Sequence, residues 1–112
     1  MGSIYWDDFK KIEMRIGTII EVKDFPEARN PAYQLKVDLG EKIGIRQSSA
    51  QITDLYSKED LVGQQVLVVF NLPPKQIGTF ISDCLITGFK RDDNTVVLAI
   101  PQGNVENGTL LV

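Results

Sequence analysis

Gly44-Ile45-Arg46-Gln47-Ser48-Ser49-Ala50-Gln51-Ile52 and, further on, Phe70-Asn71-Leu72-Pro73-Pro74-Lys75 are the two stretches whose reading decides the fold and the surface it offers. The first starts with strand-like alternation and ends in consecutive small hydroxyl residues. The second closes an apolar run, Val66 to Phe70, that breaks at two prolines and then presents a lysine. A short continuous apolar run bounded by turn residues reads as a central strand. Two strand ends carrying hydroxyl, amide and cationic groups point to a surface that binds, not to a reaction centre.

Outward from these stretches, strands dominate. Met14, Ile16, Thr18, Ile20 and Val22 alternate with Arg15, Gly17, Ile19, Glu21 and Lys23, so residues 14–25 read as a half-buried strand. Gly17 in its middle predicts a bend or bulge. After the loop Phe25-Pro26-Glu27-Ala28-Arg29-Asn30-Pro31, alternation resumes at Leu35, Val37 and Leu39, turns at Gly40-Glu41-Lys42, and continues through Ile43 and Ile45. Residues 84–89 and 95–100 are two further strands, with Arg91-Asp92-Asp93-Asn94 as the hairpin turn between them. Asp7 and Asp8 ahead of Lys10 and Lys11 predict a short helix over 7–12, with Phe9 and Ile12 on one side. Residues 50–61 are the internal helical candidate: Leu55, Tyr56 and Leu61 supply apolar contacts and Ser57-Lys58-Glu59-Asp60 resembles a helix start. Asn107-Gly108 is a turn, and Leu110-Leu111-Val112 is an apolar tail that needs burial. Five principal strands with one helical insertion after the third predict an all-β fold with short helices, a five-stranded Greek-key OB-fold barrel. A small β-sandwich is the rival.

Composition narrows the function classes. A chain of 112 residues is one domain, 1–112, able to bury a core without disulfide staples. Its apolar runs are too short to span a bilayer, and its first residues lack the basic and apolar regions of a secretory signal, so a cytoplasmic protein is expected. Cys84 stands alone within an apolar run and reads as buried and reduced. With no histidine to act as base or metal ligand, one cysteine and no phosphate-cradling Gly-x-x-x-x-Gly-Lys, neither enzyme activity nor a metal or other cofactor is expected. Asp92-Asp93 beside Asn94 suits a solvated turn better than paired catalytic carboxylates. Twelve Lys+Arg against fifteen Asp+Glu give a net charge of −3, whereas nucleic-acid binders are usually basic. RNA binding here predicts clustered cations, modest affinity and a shallow salt dependence.

Arg46 is the candidate phosphate contact, with Gln47, Ser48, Ser49 and Gln51 placed to hydrogen-bond sugars or bases. The plainer reading is that Ser48 or Ser49 caps the helix that follows. Asn71, Lys75 and Ser82 extend the binding argument, because Pro73-Pro74 stiffens the turn from which Lys75 projects and Gly78-Thr79-Phe80-Ile81-Ser82 returns the chain past it. Alternation directs Phe70 and Phe89 into the core. Phe25, Tyr33 and Phe80 are then left as stacking platforms for bases, or, with Ile77, as walls of an apolar groove for an unfolded peptide. The residues leave both uses open.

Phe9 to Gly17, Phe25-Pro26-Glu27-Ala28-Arg29, Ile45 to Ile52, Val69-Phe70-Asn71-Leu72-Pro73-Pro74 and Phe80 to Leu85 together resemble the tRNA-binding-domain family, over about Asp8 to Thr109. That family includes free-standing tRNA-binding proteins, appended domains of methionyl- and phenylalanyl-tRNA synthetases, and small bacterial export-related chaperones. Phe-Pro-Glu-Ala-Arg and Gln-Ser-Ser-Ala-Gln-Ile resemble the chaperone branch. Members acting on tRNA typically carry His-Pro-x-Ala-Asp-x-Leu and Ser-x-Gly-Met, where this chain has Phe25 to Arg29 and Ser82-Asp83-Cys84-Leu85. The resemblance implies a homodimer with its helix 7–12 and tail 104–112 at the interface, burying Trp6. It implies ATP-independent binding of unfolded or pre-secretory polypeptides, and tRNA as a partner through Arg29 and the polar residues above.

Overall fold

In the computed structural model of residues 1–112, nine strands and two short helices follow one another as α1 (Trp6–Lys10), β1 (Met14–Asp24), β2 (Tyr33–Asp38), β3 (Ile45–Ala50), α2 (Lys58–Leu61), β4 (Gln65–Val69), β5 (Lys75–Ile77), β6 (Phe80–Ser82), β7 (Leu85–Ile86), β8 (Gly88–Lys90) and β9 (Val96–Leu98). The main sheet is antiparallel with order β3-β2-β1-β4-β7. Its two outer strands meet side by side, so the sheet curls into a nearly closed five-stranded barrel, the OB-fold that the strand pattern predicts. The sandwich alternative falls, since one sheet encloses one core. Leu35, Val37 and Leu39 from and after β2, Val66 and Val68 from β4, and Leu61 beneath them are all at most 1% exposed.

β1 departs from simple alternation in an instructive way. Its pairing with β2 slips between Ile19 and Glu21, so the bulge falls at Ile20 and not at Gly17. Before the bulge Gly17 and Ile19 face the core; after it Val22 does, while Ile20 turns outward. Gly17 is there for close packing. A β-carbon on it would sit 2.8 Å from Leu39 Cδ2 and 3.2 Å from Asp38 O.

The helical reading of 50–61 shortens to α2. Ala50 still belongs to β3, residues 53–55 form a turn, and the helix begins only after Ser57. Ser57 caps it in both directions: its Oγ accepts from Asp60 N–H at 3.2 Å and its own N–H donates to Asp60 Oδ2 at 3.0 Å. Tyr56 is drawn inward instead, its hydroxyl accepting from Leu98 N–H at 3.1 Å. The expected strand 84–89 divides into β7 and β8. The break falls at Thr87, and Gly88 opens β8 pressed against β9, where a β-carbon would lie 2.9 Å from Val97 O. Phe89 consequently points outward, 67% exposed, correcting the expectation that it enters the core. Phe70 does pack against the core, with the Arg15 guanidinium 5.8 Å from its ring centre.

Residues 105–112 form a strap along the start of β1, where β2 no longer covers it. Ile16 N–H donates to Thr109 O (3.0 Å), Gly108 N–H to Ile16 O (2.7 Å) and Leu111 N–H to Met14 O (2.8 Å). Arg15 Nη1 adds a bond to Gly108 O at 2.7 Å.

Candidate functional site

The barrel seam and the candidate rim are the same structure. Antiparallel β5 and β6 form a hairpin turned at Gly78 (φ +61°), which lies along β3. Side chains replace a regular ladder there. Gln47 N–H donates to Asp83 Oδ1 at 3.0 Å while Asp83 N–H donates back to Gln47 O at 2.9 Å. Ser49 N–H donates to Ser82 Oγ at 3.1 Å, and Gln47 Nε2 to Ile81 O at 2.7 Å. The result is a cavity of about 290 Å³ whose wall includes Ser49, Gln51, Leu72, Lys75, Ser82 and Leu85.

Four of the polar residues singled out in the sequence thus converge: Ser49, Gln51, Lys75 and Ser82, with half-buried Ile77 beside them. Arg29, Arg46 and Lys75 make no ion pair within the chain; Arg29, Gln51 and Lys75 are exposed and Arg46 is half-buried. Arg29 belongs to the β1–β2 loop, which is anchored beside the hairpin by Phe25 against Phe80, with ring centres 5.3 Å apart.

Other expected site residues are structural. Ser48 is 1% exposed and its Oγ donates to Ser49 O at 3.3 Å, so it faces no ligand. Ser48 and Ser49 cap no helix either, both being strand residues. Asn71 binds the chain itself: Oδ1 accepts from Glu13 N–H at 2.9 Å and Nδ2 donates to Lys11 O at 2.6 Å. Gln47 and Ser82 are committed to the seam. Phe25 and Tyr33 are buried, and the Tyr33 hydroxyl donates to Tyr56 O at 2.8 Å, so neither is an open platform or groove wall. Phe80 remains half-buried at a second small depression with Gln34, Lys36 and Gln47. Cys84 Sγ lies 3.6 Å from Gln47 O, and burial pushes its thiol up to about 12, with Asp83 adding to the rise and Arg46 opposing it. A thiol held neutral in this way is no nucleophile at neutral pH.

A second region is apolar throughout. Ile4, Tyr5, Trp6, Phe9 and Val112 line a depression of about 360 Å³, with Trp6 76% exposed and edge-on to Phe9 at 6.0 Å. Phe89, Ile100, Leu110, Leu111 and Val112 contribute to a neighbouring one of about 450 Å³. Val112 belongs to both, so α1, the strap and the β8–β9 hairpin share one exposed apolar face. Trp6 and the tail were visible as residues needing cover. Phe89 and Ile100 were not: Phe89 turns outward after the break at Thr87, and Ile100 lies beyond the end of β9. No helix is long and apolar enough to cross a membrane.

Known proteins resemble the chain at two scales. Residues 14–110 match the family described as "Putative tRNA binding domain". Methionine–tRNA ligase of Leptospira biflexa is 37% identical over 110 residues, and that of Pyrococcus abyssi 37% over 105; these alignments take in 98% and 94% of this chain. The chain spans only 16% and 14% of those enzymes' length. Among solved structures, chaperone CsaA of Bacillus anthracis superposes with TM-score 0.92 at 41% identity, covering 99% of this chain and 100% of that one. CsaA of Picrophilus torridus gives 0.91 at 45% identity, covering 98% and 100%. With a family match over almost its whole length and a barrel of the same form, this chain belongs to the tRNA-binding-domain family.

Proposed function

We propose that the chain is an ATP-independent chaperone of the CsaA type, working as a homodimer in the cytosol, which holds unfolded or pre-secretory polypeptide to assist export and also takes tRNA. One observation carries this reading: two CsaA chaperones superpose on the chain with TM-scores of 0.92 and 0.91 at 41% and 45% identity, above the 37% of the two ligases. The architecture agrees with holding and not converting. The only thiol is neutral and buried, and the rim offers one cation, one amide and two hydroxyls beside the apolar side chains of Leu72, Ile77 and Leu85. Such a mixed surface suits an extended chain that presents both backbone amides and apolar side chains. The apolar face at α1 and the strap is where two copies meet, and two-fold symmetry then doubles the rims and strengthens weak individual contacts.

The test is suppression of aggregation of a chemically denatured client at stoichiometric dimer without ATP. Full aggregation under those conditions refutes the chaperone role. A second reading, a tRNA-binding protein without chaperone activity, is favoured by the unpaired cations Arg29, Arg46 and Lys75. It predicts a tRNA complex at low salt with no effect on the client.

A further inference from the structure

Asn107-Gly108 is the one Asn-Gly pair in the chain, and the fold cannot dispense with the glycine. Gly108 has φ +91°, and a β-carbon on it would stand 2.7 Å from Leu39 O. The asparagine is equally engaged. Its Oδ1 accepts from Thr18 Oγ1 at 2.8 Å and from Gln65 Nε2 at 3.2 Å, and Gln65 also pairs with Val105 through both N–H and carbonyl. From this arrangement we infer that Asn107 is a deamidation site gated by docking of the C-terminal strap, and that its isoaspartyl product can no longer dock.

The chemistry needs only water. The Gly108 backbone nitrogen bonds to Asn107 Cγ, the Cγ–Nδ2 bond breaks, and the side-chain nitrogen leaves as ammonia together with the proton that Gly108 gives up. Water then opens the resulting imide at either carbonyl, giving an aspartyl or an isoaspartyl residue with no change of oxidation state. Glycine offers no side chain to hinder the approach. The docked strap engages both reacting groups: Gly108 N–H is donated to Ile16 O at 2.7 Å, and the Asn107 side-chain oxygen is fixed by Thr18 and Gln65. Reaction therefore proceeds from the locally opened strap, at a rate set by how often it opens.

The two products differ in consequence. Aspartate at 107 keeps an oxygen for Thr18 and for Gln65. Isoaspartate lengthens the backbone by one methylene, which throws residues 108–111 out of register with β1. The bonds from Ile16 N–H to Thr109 O and from Leu111 N–H to Met14 O are then lost together.

The experiment follows isoaspartate and mass gain in the C-terminal peptide of the intact protein during mildly alkaline incubation. Wild type should deamidate far more slowly folded than in urea. Gln65→Ala, which removes the bonds to Asn107 and Val105, should speed the folded reaction about tenfold; should it not fold, Thr18→Val serves the same purpose. The isoaspartyl fraction, separated by ion exchange, should lose hydrogen-exchange protection at Ile16 and Leu111, whereas Asn107→Asp should keep it. Deamidation of folded wild type at the unfolded rate overturns the gate. Retained protection at Ile16 and Leu111 in the isoaspartyl fraction overturns the release.

Discussion

The rim around Lys75 and the face around Trp6 are both exposed, yet they are built in opposite ways. At the rim, most polar atoms are already committed: Gln47, Ser82 and Asp83 hold the seam, and Asn71 holds the chain before β1. Only a few groups, chiefly Lys75 and Gln51, remain uncommitted there. At the terminal face almost nothing is polar and almost nothing is covered, from Trp6 at 76% to Phe89 at 67% exposed. The contrast teaches that residue type nominates a site, whereas uncommitted capacity decides it. For a hydroxyl or amide that capacity is an unmade hydrogen bond; for an indole it is area still in water.

The largest expected effect lies on the apolar side. Trp6→Ala combined with Leu111→Asp removes an aromatic anchor and places a carboxylate in the proposed dimer contact. Self-association should weaken by about 3 kcal/mol or more, read by sedimentation, with the circular dichroism of the barrel unchanged. An undisturbed dimer would place the contact elsewhere. Next comes Asp83→Ala, which leaves Gln47 N–H without its acceptor at the seam. Unfolding free energy should fall by about 1–3 kcal/mol, whereas Lys75→Ala should move it by no more than roughly 0.5 kcal/mol. Equal losses for the two would erase the distinction between holding and free residues.

Smaller again is the electrostatic share of ligand binding. Arg46→Ala and Lys75→Ala should each lower the salt dependence of tRNA binding by about 0.9 log units per log salt for one lost phosphate contact. Ser48→Ala should leave it untouched, since that hydroxyl never reaches the surface. A titration series with all three variants checks this. The last effect, absent at neutral pH, concerns Cys84. Its thiol ionises near 9.0 in an ordinary setting and at about 12 in the fold. The folded state favours the neutral form, so its contribution is intact below 9.0 and fades as pH climbs towards about 12. Cys84→Ala should flatten that alkaline decline in melting temperature.

The barrel was legible in the sequence because alternation at Leu35, Val37 and Leu39 and the apolar run from Val66 are direct records of burial. The Ile20 bulge was not, since a one-residue slip leaves composition unchanged while swapping faces. Residues 50–61 read as helix because Leu55, Tyr56 and Leu61 offer apolar contacts around the helix-start pattern Ser57-Lys58-Glu59-Asp60. Tertiary bonds to the Tyr56 hydroxyl and carbonyl won instead. At the site, Lys75 and Ser82 were found together because the hairpin returns over Gly78. Ser48 was misjudged for a physical reason: a hydroxyl bonded to backbone and one waiting for a ligand look alike in one dimension.

The seam bears on how such a barrel can change its taste in ligands. Because a carboxylate and a hydroxyl stitch β3 to the β5–β6 hairpin in place of a continuous ladder, the hairpin behaves as a cassette clipped onto a finished scaffold. Keeping Ser82 and Asp83 as clips, the segment from Pro73 to Ile81 could be exchanged for one of different charge or length without rethreading a core strand. A single scaffold can in this way be re-aimed at a nucleic acid or at a polypeptide by rewriting one short insert.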